Sequence, residues 1–276
     1  MMGFGPPEAI DAPPRLPLPY GLFSAVSLAE VASERWENGV TWEALTCDPV
    51  NIVVGDCDAP EGFPKQFPEN GPGIGEADAF TVYGTYKCSG PQAVADAQVR
   101  SREVLLAREE QAAEGRLWRN MAMDNPTTVA SSDAVDTLGA LEKFIGDTYG
   151  SLGVIHGSRN AVTTWIGRGL VVVRGGRLET VLGTPVVAGS GYPGTAEATD
   201  PAADPPVFPA PAAGTEWVAA SPALFGYRSE VFEPTTIPGD LMDRRNNDVF
   251  GVAERNYLIG YEPCGVGFAA LPLGCC

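Results

Sequence analysis

Histidine is almost absent: His156 is the single one among 276 residues. That excludes any metal or catalytic site built on two histidines, and a Ser or Cys nucleophile with a histidine base would have to use His156. The six cysteines, Cys47, Cys57, Cys88, Cys264, Cys275 and Cys276, form no C-x-x-C pair and match no zinc spacing. No metal and no cofactor is expected. Basic residues are scarce, 18 against 35 acidic ones for a formal charge of −17. Such a surface does not bind nucleic-acid phosphates or anionic membranes as a whole. No apolar run reaches the roughly 18 residues of a membrane span, and Met1 to Pro7 lacks the basic and apolar regions of a signal peptide. Synthesis in the cytoplasm, no membrane partner and reduced thiols are the expectations.

Glycine (33) and proline (25) are abundant, so turns, loops and short strands should make up much of the backbone, while a hydrophobic share of 44% suffices for one large or two small cores. The longest regular stretch runs from Ser89 to Asn120. Ser89 can cap it, Pro91 suits a first turn, and no Gly or Pro follows before Gly115, so a helix of some 45 Å is expected at ~1.5 Å per residue. Its apolar residues suggest a thin stripe (Ala95, Val99, Leu106, Ala113, Leu117) that rests on a surface.

Before that helix, residues 1–38 are Pro-rich with one short helical pattern, as in an arm lying on something else. Two β-rich runs, 39–54 and 79–88, flank a tip at 55–78 that is too irregular for a hairpin turn; a long two-stranded projection fits. After the helix, Ser132 should cap a second one (Val135, Leu138, Leu141, Phe144, Ile145, Tyr149) ended by Gly150, and a third spans 158–166. Strands are expected at 154–156, 170–174, 178–181 and 185–188, a surface loop at 190–214, and strands again over 217–232 and 249–271.

Catalytic patterns fail on inspection. Gly189, Gly191 and Gly194 satisfy G-x-G-x-x-G, but Pro193 interrupts them and no helix follows, so they should shape a turn. Ser190 lacks the flanking glycines of a nucleophile elbow. Asp56, Asp58, Glu61, Asp240, Asp243 and Asp248 have no metal-binding spacing and read as solvated loop charge. His156, beside Gly157, reads as a hydrogen-bonded structural residue. No catalytic, cofactor-binding or metal residue is assigned, and the chain is not expected to be an enzyme; a soluble hydrolase using His156 is the alternative from another class.

The order of arm, projection, long helix, small α/β unit and returning strands resembles the major capsid proteins of tailed bacteriophages, the α+β Hong Kong 97 fold. Leu182-Gly183-Thr184-Pro185-Val186-Val187 looks like the "LxGxPVV" strand of that family's apical domain, and Ala253 to Pro263 looks like its "EERLxLAxYRP" closing strand. The resemblance implies an N-terminal arm (1–38), an extended β loop (39–88), a spine helix with periphery domain (89–131), an apical domain (132–236) and return strands of the periphery domain (237–276). It also implies self-assembly into hexamers and pentamers of an icosahedral head, enclosing double-stranded DNA without reading its sequence. A separate scaffold or none, a portal and a decoration protein are the implied partners, and the virion capsid the location. An encapsulin-like nanocompartment shell is the alternative within the fold. Some relatives cross-link a loop lysine to a neighbour's asparagine with a glutamate as base; here Lys65 and Asn246 fill the first two places, Ala253 stands where the glutamate would be, and no cross-link is expected.

Overall fold

The computed structural model describes residues 16–30, 34–44, 73–89, 93–124, 126–194, 210–233, 242–243, 245 and 248–274. In chain order these form helix α1 (Leu22–Ala25), strand β1 (Leu28–Glu30), a 3₁₀ turn (Glu34–Asn38), β2 (Val40–Glu43), β3 (Ile74–Ala77), β4 (Phe80–Ser89) and the long helix α2 (Ala93–Met123). There follow β5 (Thr127–Val129), α3 (Ala134–Tyr149), β6 (Gly153–Ser158), α4 (Arg159–Gly167), β7 (Val171–Arg174), β8 (Arg177–Thr180) and β9 (Pro185–Gly189). The chain closes through β10 (Thr215–Pro222), β11 (Leu224–Arg228), β12 (Met242–Asp243), β13 (Asp248–Tyr261) and β14 (Gly267–Pro272). The class is α+β: parallel and antiparallel pairings mix in both large sheets.

One sheet has the order β1-β11-β13-β12, with β4 added along β13; the other has the order β5-β14-β10-β6-β9-β8-β7. The second sheet carries α3 and α4. Asp133, rather than Ser132, caps α3: its carboxylate accepts from the N–H groups of Val135 and Asp136 at 2.8 and 2.9 Å, while Ser132 bonds back to Asp136. Gly150 ends α3 in the left-handed region, φ 59°. Trp165 of α4 is fully buried and donates to the Ala134 carbonyl at 2.9 Å, so one indole ties both helices together over Ile155, Leu178 and Val186.

The expected projection pairs differently. β2 takes as its partner β3, from inside the stretch read as a tip, and β4 instead runs for ten residues against β13. The apolar face of β4 (Phe80, Val82) needs cover that a free two-stranded ribbon does not supply, and β13 with α2 supplies it. Residues 45–72, most of the expected tip, lie outside the described residues.

The contact stripe of α2 matches expectation at Ala113 and Leu117 and differs in the first half of the helix, where Ala95 is exposed. Val99 and Leu106 are exposed, and the buried line is Ala97, Ser101, Leu105 and Glu109, continuing through Ala113, Leu117 and Met121. The reason is close approach: a Cβ at Gly251 would overlap the Ala97 carbonyl, and one at Gly84 would sit 2.6 Å from the Leu105 nitrogen. Backbone lies on backbone there, so small residues mark the contact. Asp248, read as loop charge, is buried at the start of β13, paired with Lys87 at 2.6 Å and hydrogen-bonded by Ser89; the Lys87 hydrogen bond holds its carboxyl below the usual range. Cys264 is disulfide-bonded, against the expectation of reduced thiols, and Cys88 is free; proximity in space, which sequence spacing does not reveal, decides pairing.

Candidate functional site

β6 places His156 opposite Ala219 of β10 and Val187 of β9, in the middle of the second sheet, where it is fully buried. Its Nδ1 lies 2.8 Å from the Tyr192 hydroxyl and its Nε2 2.9 Å from Ser221 Oγ. Ser221 donates its own proton to the Pro222 carbonyl at 2.9 Å. The network therefore assigns the tautomer: Nε2–H donates to Ser221, and Nδ1 accepts from Tyr192. Burial pushes the imidazole down to about 3, and burial likewise pushes the Tyr192 phenol up. Among the described residues no carboxylate bonds the ring, and Ser221 has no exposed surface. A hydrolytic nucleophile needs a free proton to give up and room for a substrate; Ser221 has neither. The hydrolase alternative fails on this geometry.

The carboxylates of α2 are used for joining. Glu114 accepts from the Leu22 N–H at 3.1 Å through one oxygen and from the Gly191 N–H at 2.7 Å through the other. Glu110 accepts from the Phe23 N–H at 2.8 Å. Together they cap α1 from outside, since its own N-cap, Gly21, has no side chain. Burial is the main cause that raises both carboxyls above the usual range, and their mutual repulsion adds to it at Glu114. Gly21 and Gly191 are required for this approach: a Cβ at Gly21 would strike the Glu110 carboxylate, and one at Gly191 the Gln111 carbonyl. The G-x-G-x-x-G run thus presents an N–H to a carboxylate of the chain itself, where a nucleotide loop would present it to phosphate. Arg159 adds bonds to the carbonyls of Pro19 and Ala188, and Phe23 stacks on Tyr257 of β13 at 5.6 Å between centroids.

Lys65 and Asn246 lie outside the described residues. Ala253, opposite Gly84, is buried beneath α2 with Val82, Leu105 and Tyr257; Glu254, one residue on, stands opposite Tyr83 on the other face. Several large apolar side chains remain uncovered in the single chain, among them Val99 and Leu106 on α2, Tyr83 on β4, Ile74 on β3 and Leu182 after β8. Among the described residues no group of three or more His, Cys, Asp or Glu could hold a metal ion, and no helix is long and apolar enough to cross a membrane. Sequence reasoning missed Glu110 and Glu114. The available signal was the glycine at each point where a carboxylate meets backbone.

No protein-family model matches the chain, and no curated protein matches it in sequence. Solved structures match over nearly its full length. One from Microbacterium phage Oxtober96 has a TM-score of 0.52 at 12% identity, covering 98% of this chain and 96% of that one. Another, from Mycobacterium phage Bobi, has a TM-score of 0.52 at 13% identity, covering 99% and 96%. The chain has the Hong Kong 97 fold. A structure titled as the asymmetric unit of the bacteriophage PhiM1 mature capsid is similar at a TM-score of 0.48 and 11% identity, over 98% and 92% of the two chains. In this Hong Kong 97 chain, α2 is the element on which β4, β13, α1 and the loop after β9 converge.

Proposed function

We propose that the chain is the major capsid protein of a tailed bacteriophage, assembling as hexamers and pentamers into an icosahedral head that encloses double-stranded DNA. The Hong Kong 97 fold over 98–99% of the chain is the observation that carries this reading. Uncovered apolar side chains on α2, β3 and β4 support it, because a shell brings neighbouring copies onto such surfaces. The role is structural, and the burial of His156 in a closed hydrogen-bond network supports that.

In this reading 1–38 is an arm, 39–88 an extended loop, 89–131 the spine and part of the periphery domain, 132–236 the apical domain and 237–276 the return strands. A scaffold, a portal and a decoration protein are its partners, and the virion capsid its location. The formal charge of −17 is compatible with packaged DNA, since counterions neutralise the phosphates and the shell need not read them.

The test is electron microscopy and light scattering of the purified protein, alone and with a scaffold protein. Closed shells with nuclease-protected DNA in particles from infected cells are expected. A small species under all conditions would overturn the capsid reading, and shells filled with an enzyme cargo in place of DNA would make this a nanocompartment protein.

A further inference from the structure

Two exposed patches of opposite sign are built into separate sheets. The first is the β7–β8 hairpin, the edge of the seven-stranded sheet. Arg174 and Arg177 stand directly opposite each other across a Gly175-Gly176 turn whose φ angles are both positive, 55° and 81°. That turn is the tight type that fixes register, so the two guanidinium groups are held side by side on one face. Like charges directly opposite each other destabilise a strand pair. Neither arginine has an ion pair among the described residues, although the chain carries 35 acidic residues.

The second patch is the outer face of the β2–β3 pair. The register puts Thr41 opposite Glu76 and Glu43 opposite Ile74, so Glu43 and Glu76 are diagonal neighbours on one face, with Asp78 exposed just beyond. Trp42 and Gly75 occupy the inner face, where Trp42 packs edge-on against Phe225 at 4.8 Å and donates to Glu262. The outer face carries two exposed carboxylates, neither in an ion pair among the described residues, around Ile74, which is 71% exposed.

We infer that the Arg174–Arg177 hairpin of one copy docks on the Glu43–Glu76 face of the next copy. The inference rests on the self-assembly reading above and names one contact within it. Each patch pairs two like charges that have no ion pair among the described residues, and the β2–β3 face adds the exposed Ile74. The signs are opposite, and a directly opposed pair meets a diagonal one. The two patches differ, so the contact is head-to-tail, and such contacts generate closed rings when the rotation between copies closes.

The experiment uses full-length protein under conditions where wild type assembles. Arg174→Glu/Arg177→Glu keeps a like-charge pair at the turn, and Glu43→Arg/Glu76→Arg does the same on the other patch. Each double variant should need at least about tenfold more protein to form capsomers by light scattering, because like charges then face each other across the contact. The quadruple variant should recover wild-type assembly. Arg174→Gln/Arg177→Gln, with no reversed charge, should give a smaller loss, and 0.5 M salt should weaken wild type toward it. Normal assembly of the reversed hairpin would overturn the contact and leave the arginines as edge protection. A quadruple variant no better than either double would also overturn it, as would arginine variants that assemble normally but lose retention on DNA. Wild type that never assembles would overturn the capsid reading itself, which separates the two failures.

Discussion

Arg255 of β13 reaches across to Glu109 of α2, its Nη1 lying 3.1 and 3.0 Å from the two carboxylate oxygens, with only 13% and 10% of the two side chains exposed. The pair sits at the end of the line where Ala97, Ser101 and Leu105 press onto β4 and β13. It therefore locks the helix in rotation as well as in position. Removing one member leaves a buried charge without its partner. Arg255→Met or Glu109→Gln should each cost about 3 kcal/mol in urea unfolding of the unassembled protein, while Glu109→Met/Arg255→Met together should cost far less. Single variants within 0.5 kcal/mol of wild type would mean that the pair is screened and only decorative.

Close approach of the helix gives a second expectation. Alanine at Gly251 has no room under the Ala97 carbonyl, so Gly251→Ala should lose about 1–3 kcal/mol as α2 is pushed from the sheet. Gly139, inside α3 with nothing within 4 Å of its would-be Cβ, is the opposite case. Gly139→Ala should gain about 0.5–1 kcal/mol from helix propensity. Thermal midpoints moving in the same direction in both variants would contradict this account.

How much of this was legible in the sequence depends on what carried each contact. α3 and α4 announce themselves through helical spacing and Gly150, and β6, β8 and β9 appear close to where alternation and glycine turns put them. α2 was legible as a helix, with Ala113 and Leu117 on its contact face, but the first half of that face was not: where the helix touches Gly84 and Gly251 the contact is backbone on backbone, and Ala97 and Ser101 look neutral. The joint at Glu114 is silent for a different reason. Its partners are the N–H groups of Leu22 and Gly191, and every residue but proline carries one. The β2–β3 pairing was missed because β3 is four residues within a Pro- and Gly-rich stretch.

Acid should act on this fold through two groups of opposite sign. The neutral His156 is held at about 3 against an ordinary 6.5, so protonation favours the unfolded chain, and stability present above pH 6.5 is lost as pH falls from there toward 3. Glu110 and Glu114, raised by burial, act the other way: acidification through their raised values toward 4.5 relieves the cost of burying their charges. His156→Gln should therefore flatten the decline of unfolding free energy between pH 6.5 and 3, whatever it costs at neutral pH. Parallel declines in variant and wild type would assign acid sensitivity elsewhere.

The last expectation concerns covalent cross-linking in assembled particles. A lysine ammonium, with a reference pKa of ~10.4, is a poor nucleophile at neutral pH and needs a base to take its proton. Ala253 stands at the position where the capsid resemblance implies a glutamate, and it is fully buried under α2 with Leu105 and Tyr257. Glu254 is on the opposite face of β13, beside Tyr83. Particles boiled in reductant should run as a single monomer band on a denaturing gel, and a ladder of multimers containing Lys65 would refute this. Ala253→Glu would not restore the chemistry. It would bury an unpaired carboxylate against Leu105 and lower the thermal midpoint without producing a ladder.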